Sequence, residues 1–387
     1  MKPHKLSKSD VNYYLTAYSN IKDKVHFVEH IQAVRNNARI LAKKLNYSNL
    51  DLLDAAALLH DIGNIKSKKD YHIIGANMVL NDSKLKEIFD ESELKEISYS
   101  ILQHRSNDSS NIPKTMLAKI INDANIMDGS IKKSYTYTDH KYPNISKVQK
   151  IVISANHIYN KYGPNGYGMK SLIFKQSKQI ISDKMKDVLD ARLYWDIYRL
   201  AKHCEMKLDK PKYGPMLQFR FMNWKNKKTN ILFVTGLSGS GKSTLSNKLS
   251  KQYNAEYIQL DHFEWGLKDG LNPKQAITKY IIRYKELYPI NITAFKNNNN
   301  KQMGPDISKF IKWLIKDLYK SNTRCIVEGV QIYNLNYKAM KELPILIMNT
   351  SVDDCILSQS LRGTGGHSPQ LLSQERKNLN KFIKNIN

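Results

Sequence analysis

Hydrophobic periodicity changes once along this chain, and the change calls for two kinds of fold in one polypeptide. From Val25 to about Cys204 apolar residues recur at three and four positions with few alternating runs, the period of amphipathic helices. Between Leu208 and Thr229 that period lapses into Lys-Pro-Lys-Tyr-Gly-Pro and Trp-Lys-Asn-Lys-Lys. Beyond it, short apolar runs at Ile231–Thr235, Tyr257–Leu260, Cys325–Val327 and Ile345–Met348 alternate with helical segments, the pattern of a parallel sheet flanked by helices. The expectation is an all-α domain over residues 1–207, a linker over 208–228 and an α/β domain over 229–387. A length of 387 residues suits two domains better than one. There is no internal repeat, and the low-complexity patch Asn297–Asn300 reads as a loop.

The formal charge of +26 favours partners that carry phosphate, nucleic acid above all. A second source of that charge is codon composition, since Lys, Asn, Ile and Tyr, all abundant here, are the residues of AT-rich codons. The sequence has no apolar run long enough to span a membrane, and Met1–Asp10 is too polar for a secretory signal, so a cytoplasmic protein with no membrane partner is expected. Cys204, Cys325 and Cys355 have neither metal-ligand nor redox spacing and are expected as free thiols.

In the helical half, polar groups recur on faces that should point inward. His30 shares a stripe with Val34, Ala38, Leu41 and Leu45; His60 and Asp61 close the apolar run Leu52–Leu59; His72 goes with Ala76 and Val79; His104 follows Ile97 and Ile101; and Asp123 sits between Ile120 and Met127. One inward histidine is commonly a hydrogen-bonded core residue. Burying this many imidazoles and carboxylates unpaired would cost several kcal/mol, a penalty that a divalent cation with nitrogen and oxygen ligands removes.

In the second half, Gly236-Leu237-Ser238-Gly239-Ser240-Gly241-Lys242-Ser243 follows an apolar strand and precedes a helical stretch. Glycine, four residues, glycine, lysine, serine is the pattern of a loop whose backbone N–H groups wrap phosphates. Lys242 is then expected on phosphate oxygens of ATP or another NTP and Ser243 on Mg2+, with Thr244 packing beside them. Asp261 closes the next strand on the sheet edge where ligands bind, and Glu328 closes the strand Cys325–Val327 with a carboxylate suited to a magnesium-bound water. Ser360-Leu361-Arg362-Gly363-Thr364-Gly365-Gly366 joins an arginine to flexible glycines, a composition suited to a lid in which Arg362 steadies phosphate charge.

The order His30, His60-Asp61, His104, Asp123 resembles the HD superfamily of metal-dependent phosphohydrolases over roughly residues 25–205, with His60-Asp61-Ile62-Gly63-Asn64-Ile65-Lys66 similar to its central signature. The resemblance implies that His30, His60, Asp61 and Asp123 hold one metal and that His72 and His104 complete a second site where two are bound, the metals being Mn, Ni, Co or Fe. Asp61 is then part of the catalytic centre, and Lys66 either neutralises substrate charge or is a solvated loop lysine beside Lys68 and Lys69. Asn64 stands where a related subgroup commonly has aspartate. The resemblance of the second half to P-loop kinases implies that Asp261 takes the proton of an acceptor hydroxyl. The domain order resembles bacterial end-healing enzymes that join an HD phosphoesterase, acting on 2′,3′-cyclic or terminal phosphates, to a 5′-hydroxyl polynucleotide kinase. That resemblance implies RNA or DNA ends as partners and a separate ligase to seal them. Glu328-Gly329 also resembles the strand end of nucleoside kinases, so a nucleotide-pool enzyme stays open at this point, as does a nucleic-acid-binding NTPase with a regulatory HD domain. Oligomeric state is not legible.

Overall fold

A computed structural model describes residues 6–19, 27–104, 112–290, 300–334, 340–362 and 367–386. The chain divides into two compact units, Met1–Arg192 with Arg199–Met206, and Leu193–Tyr198 with Lys207–Asn387.

The first unit is helical throughout the described residues. Its core is built by α1 (Lys8–Ser19), α2 (Phe27–Lys44), α3 (Leu50–Leu59), α4 (Tyr71–Asn81), α5 (Ser83–Ile88), α6 (Glu91–Gln103) and α7 (Met116–Ile126). After these come α8 (Ile131–Lys141), α9 (Lys147–Tyr162), α10 (Tyr167–Ser171), α11 (Lys175–Leu193) and α12 (Ile197–His203). The stripe expected on α2 is real: Val34, Ala38 and Leu41 are fully buried. The helix α3 is apolar apart from Asp51 and Asp54, the latter paired with Arg35 and Arg39, and everything from Leu52 to Leu59 is buried, so it runs through the centre of the unit. Side-chain caps fix where the helices begin: Asn49 accepts from Leu52 N, Asp90 and Glu93 form a capping box on α6, and Thr115 accepts from Ala118 N. Between α3 and α4 the chain makes a 3-10 turn, Ile62–Ile65. Gly63 in that turn touches α4 so closely that a Cβ would lie 1.9 Å from the Tyr71 carbonyl oxygen. Only glycine lets the turn after His60-Asp61 lie against α4.

The second unit holds a five-stranded sheet of β1 (Met216–Phe219), β2 (Ile231–Gly236), β3 (Glu256–Gln259), β4 (Cys325–Glu328) and β5 (Ile345–Met348), in the order β1-β5-β2-β4-β3. Four strands are parallel and β1 pairs antiparallel with β5, Met216 opposite Met348 and Phe219 opposite Ile345. The expectation of a purely parallel sheet is therefore corrected to a mixed one. The added strand comes from the segment read as linker, as does α13 (Phe221–Lys225), whose Trp224 is fully buried. Turn formers before Met216 and lysines after Trp224 hide this short apolar stretch in the sequence. Between strands run α14 (Lys242–Tyr253), α15 (Asp261–Asp269), α16 (Ile277–Leu287) and the helix Asn300–Ser321; the helices Val352–Leu361 and Pro369–Ile386 follow β5. Every residue of β2, β4 and β5 is buried, which accounts for their unbroken apolar runs. Asn297–Asn299 of the low-complexity patch lie outside the described residues.

Candidate functional site

In the first unit, three imidazoles are oriented by what their Nδ1 atoms meet. His60 is the C-cap of α3, and its Nδ1 lies 2.9 Å from the carbonyl oxygen of Ala57. His104, the C-cap of α6, meets the Ile101 carbonyl at 2.6 Å in the same way. A carbonyl only accepts, so both rings carry the proton on Nδ1 and present Nε2 as a lone pair. His30 donates Nδ1–H to Asp128 Oδ2 at 2.6 Å and turns its own Nε2 inward.

All three Nε2 atoms face Asp61. His30 and His60 stand 3.4 Å and 3.6 Å from its Oδ2, and His104 stands 3.4 Å from its Oδ1. The ligand atoms of His30, His60 and Asp61 lie within 4.8 Å of one another, close enough to share one ion. Burial works against charge on each of these groups. It pushes His60 down to about 3, whereas Asp128 and Asp61 overcome it at His30 and hold that imidazole up at about 9. Asp61 is held well below the carboxylate range by His60, His104 and His30 despite its burial. Nε2 of His104 is fully buried without a hydrogen-bond partner. An orphaned imidazole nitrogen, a second lone pair on His60 and a carboxylate together fit a divalent cation with nitrogen and oxygen ligands.

Asp123 does not join this group. Its carboxylate, fully buried, accepts from Ile173 N at 2.9 Å and Phe174 N at 2.9 Å and takes a further bond from Asn122 Nδ2, so it ties α7 to the start of α11. Burial raises its pKa. The carboxylate beside His30 is Asp128 instead, held low, at about 2, by His30 and Lys133 against the cost of burial. Lys133 Nζ meets both Asp128 oxygens, at 2.6 and 2.7 Å. His72 is buried on α4 with its ring edge-on to Tyr71, whose own ring stands 5.5 Å from that of His104. Lys66 is exposed at the end of the 3-10 turn, and Asn64 donates to the Asp61 carbonyl at 3.2 Å.

In the second unit the loop from β2 to α14 carries positive φ at Gly236, Gly239 and Gly241. Gly241 is needed twice over: φ is 91°, and a Cβ would meet the Tyr213 ring at 3.0 Å. Lys242 is buried at the loop's end, its Nζ 3.5 Å from the Leu237 carbonyl and 3.6 Å from Glu328 Oε1. Glu328, almost fully buried, accepts at Oε2 from Ser243 Oγ (3.2 Å), Tyr257 OH (3.0 Å) and Gln259 Nε2 (3.3 Å), while its Oε1 has no hydrogen-bond partner. A buried carboxylate oxygen left over beside a serine hydroxyl fits a hard cation such as Mg2+.

Gly239, Gly241, Lys242, Ser243 and Gln259 border a cavity of about 760 Å³, with Asp261, Thr244 and Arg362 on its wall. Asp261 opens α15 and accepts from Gln331 Nε2 at 2.8 Å. Arg362 caps the helix Val352–Leu361, its Nε donating to the Ser358 carbonyl. Gly363–Gly366, read as part of a lid, lie outside the described residues. Three supports of the loop were missed in the sequence. Thr350 Oγ1 donates to the Ser240 carbonyl at 3.0 Å, Gln359 Nε2 to the Ser238 carbonyl at 2.8 Å, and the Glu375 carboxylate accepts from Ser238 N at 3.1 Å and from His367 Nδ1 at 3.0 Å. Glu375 was findable: on the last helix it sits in the apolar stripe of Leu372, Leu379, Phe382 and Ile386.

Residues 27–129 match the family described as HD domain, and they form the helical HD domain of this chain. A crystal structure described as a predicted HD superfamily hydrolase, from an uncultured Thermotogales bacterium, is similar at 22% identity over 46% of this chain and 85% of its own, with a TM-score of 0.34. No curated protein matches the chain. Among the described residues no helix is long and apolar enough to cross a membrane.

Proposed function

We propose that the chain heals nucleic-acid ends, its HD domain removing a 2′,3′-cyclic or terminal 2′- or 3′-phosphate and its second unit adding phosphate from ATP to a 5′-hydroxyl. In this reading the first unit is the phosphoesterase and the second, which includes β1 and α13, is the kinase. The observation that carries it is the pairing, in one chain of charge +26, of an imidazole and carboxylate cluster fit for a cation with a glycine-rich phosphate loop.

In the phosphoesterase half, His30, His60 and Asp61 would hold the ion, with His104 Nε2 within reach of the same carboxylate. A divalent transition metal there polarises a phosphoryl oxygen and acidifies a water for attack at phosphorus. The protein's own part is orientation: Asp128 and the Ala57 and Ile101 carbonyls fix which nitrogen of each ring faces the ion. Lys66, exposed beside the turn, offsets charge on the substrate. In the kinase half, Lys242 and the N–H groups of Gly239, Ser240 and Gly241 bind the phosphates of ATP, and Ser243 and Glu328 hold Mg2+. Mg2+ held by Ser243 and Glu328 would supply positive charge beside the phosphates. Asp261 takes the acceptor's hydroxyl proton and Arg362 steadies the transferring group. A separate ligase would then seal the ends.

The test is to offer ATP labelled in its γ-phosphate with a 5′-hydroxyl oligonucleotide or with free nucleosides, and separately an oligonucleotide ending in a 2′,3′-cyclic phosphate with Mn2+, Ni2+ or Mg2+. Label on the oligonucleotide and loss of the cyclic phosphate are expected. Label on nucleosides alone would replace end healing by a role in the nucleotide pool, and oligonucleotide binding without either product would leave a regulated NTPase.

A further inference from the structure

A second cavity, of about 360 Å³, opens between α8 and α9, and Asp128 is part of its wall. That carboxylate also holds His30, so the cavity begins where the imidazole cluster ends. The volume is within the range of small-ligand sites.

Charge on this wall is out of balance. Lys133 and Lys161 line the cavity and Lys184 lies close by, so three ammonium groups share one carboxylate, Asp128. Burial, with repulsion from neighbouring ammonium groups, draws Lys161 and Lys184 below the ordinary lysine value although Asp128 pulls the other way. Lys133 is spent on Asp128, and no ion pair of Lys161 or Lys184 is found among the described residues. Gly129 and the N-cap Ser130, just before α8, add to the same wall at the helix end that favours anions. An anion is the missing partner.

Aromatic rings line the same cavity. Tyr137 is 61% exposed and Tyr142 41%, and Lys141 Nζ lies over both rings, at 5.8 and 5.3 Å. Exposed rings beside a basic cleft form a platform on which a base stacks. A free phosphate would use the lysines and leave the tyrosines idle; an acidic peptide would have no use for a flat ring.

The geometry points to a subsite for one nucleotide of a single strand, its phosphodiester on Lys161 and its base on Tyr137, next to the terminal phosphate handled at His30, His60 and Asp61. This subsite rests on the reading of that cluster as a phosphoesterase centre, and it makes a strand, not a mononucleotide, the preferred substrate.

The test titrates the full-length protein and its Tyr137→Ala, Tyr137→Phe and Lys161→Ala variants against a fluorescent trinucleotide ending in a 3′-hydroxyl, at about 0.15 M salt. Hydrolysis of p-nitrophenyl phosphate with Mn2+ is followed in the same preparations. Tyr137→Ala and Lys161→Ala are expected to weaken trinucleotide binding roughly tenfold, Tyr137→Phe to keep it, and all three to hydrolyse the small ester as wild type does. Unchanged trinucleotide affinity in both alanine variants overturns the subsite, as does an equal loss of binding and hydrolysis or an affinity for inorganic phosphate matching that for the trinucleotide. If wild type itself fails to hydrolyse any phosphoester, the phosphoesterase reading falls and the binding comparison still decides the subsite.

Discussion

The Nε2 atoms of His30 and His60 stand 3.1 Å apart. With the Nδ1 of His60 committed to the Ala57 carbonyl and that of His30 to Asp128, two lone pairs would face each other unless a positive charge lies between them. A proton on His30 is one way to supply it; a divalent cation shared with Asp61 satisfies more of the same acceptors.

A metal should therefore stabilise the fold. Chelator-treated protein given Mn2+ or Ni2+ at a hundredfold excess over its dissociation constant is expected to gain about 2.7 kcal/mol in the first unit, a rise in Tm of roughly 5–10 °C. His60→Ala and Asp61→Ala should lose this shift. A full shift in both variants, measured by scanning calorimetry, would mean the ion binds elsewhere.

Asp128 and Asp123 should separate cleanly on substitution. Asp128 fixes the orientation of His30, so Asp128→Ala is expected to lower metal affinity about 10–100-fold, and it also destabilises the metal-free protein because His30 and Lys133 lose their carboxylate. Asp123→Ala leaves the buried N–H groups of Ile173 and Phe174 without an acceptor and should cost about 1–3 kcal/mol, while metal stoichiometry in the folded protein stays the same. Metal titration by calorimetry beside urea unfolding reads both. The reverse pattern would restore Asp123 to the metal centre.

This pair also marks where the sequence stops being informative. Periodicity finds helices well, and it placed His30, His60 and His104 on inward faces because each shares its helix face with core residues. It did not choose between Asp123 and Asp128, five positions apart. Asp123 lies on the buried face of α7, but its partners, Ile173 and Phe174, are fifty residues on; Asp128 follows the helix and meets a residue 98 positions back. Long-range pairing of that kind leaves no local pattern. In the second unit the glycine-rich loop is legible because the backbone needs glycine at fixed places, whereas β1 stayed hidden since a four-residue strand is defined by its neighbour β5 more than by its own residues. Tyr213, which packs on Gly241, was hidden with it.

The two chemistries should be separable. Lys242→Ala is expected to abolish phosphate addition and spare hydrolysis, and Asp61→Ala to do the opposite. Asp261→Asn should lower kcat of the kinase reaction by about 10²–10⁴ with little change in KM for ATP, since it acts on the acceptor hydroxyl and not on the nucleotide. Steady-state assays of both activities on the same preparations check this, and loss of both in either single variant would show that the sites depend on each other.

Glu375 gives the loop a pH dependence whose sign follows from its partners. Burial would raise its pKa, but His367, the Ser238 N–H and the charge of Lys242 hold it below the ordinary glutamate value of 4.5. A carboxylate depressed on folding contributes stability that is complete above 4.5 and is lost as pH falls through its lower folded value. Glu375→Gln keeps the shape and removes the charge, so wild type should exceed the variant by about 1–3 kcal/mol at neutral pH, and the gap should close in acid. Because Ser238 N is held by this carboxylate, the variant should also raise KM for ATP while leaving hydrolysis by the first unit untouched. Urea midpoints of the two proteins, compared at neutral pH and again below 4.5, carry the decision: a gap that widens on acidification would mean that the folded protein raises the Glu375 pKa and holds it as the neutral acid.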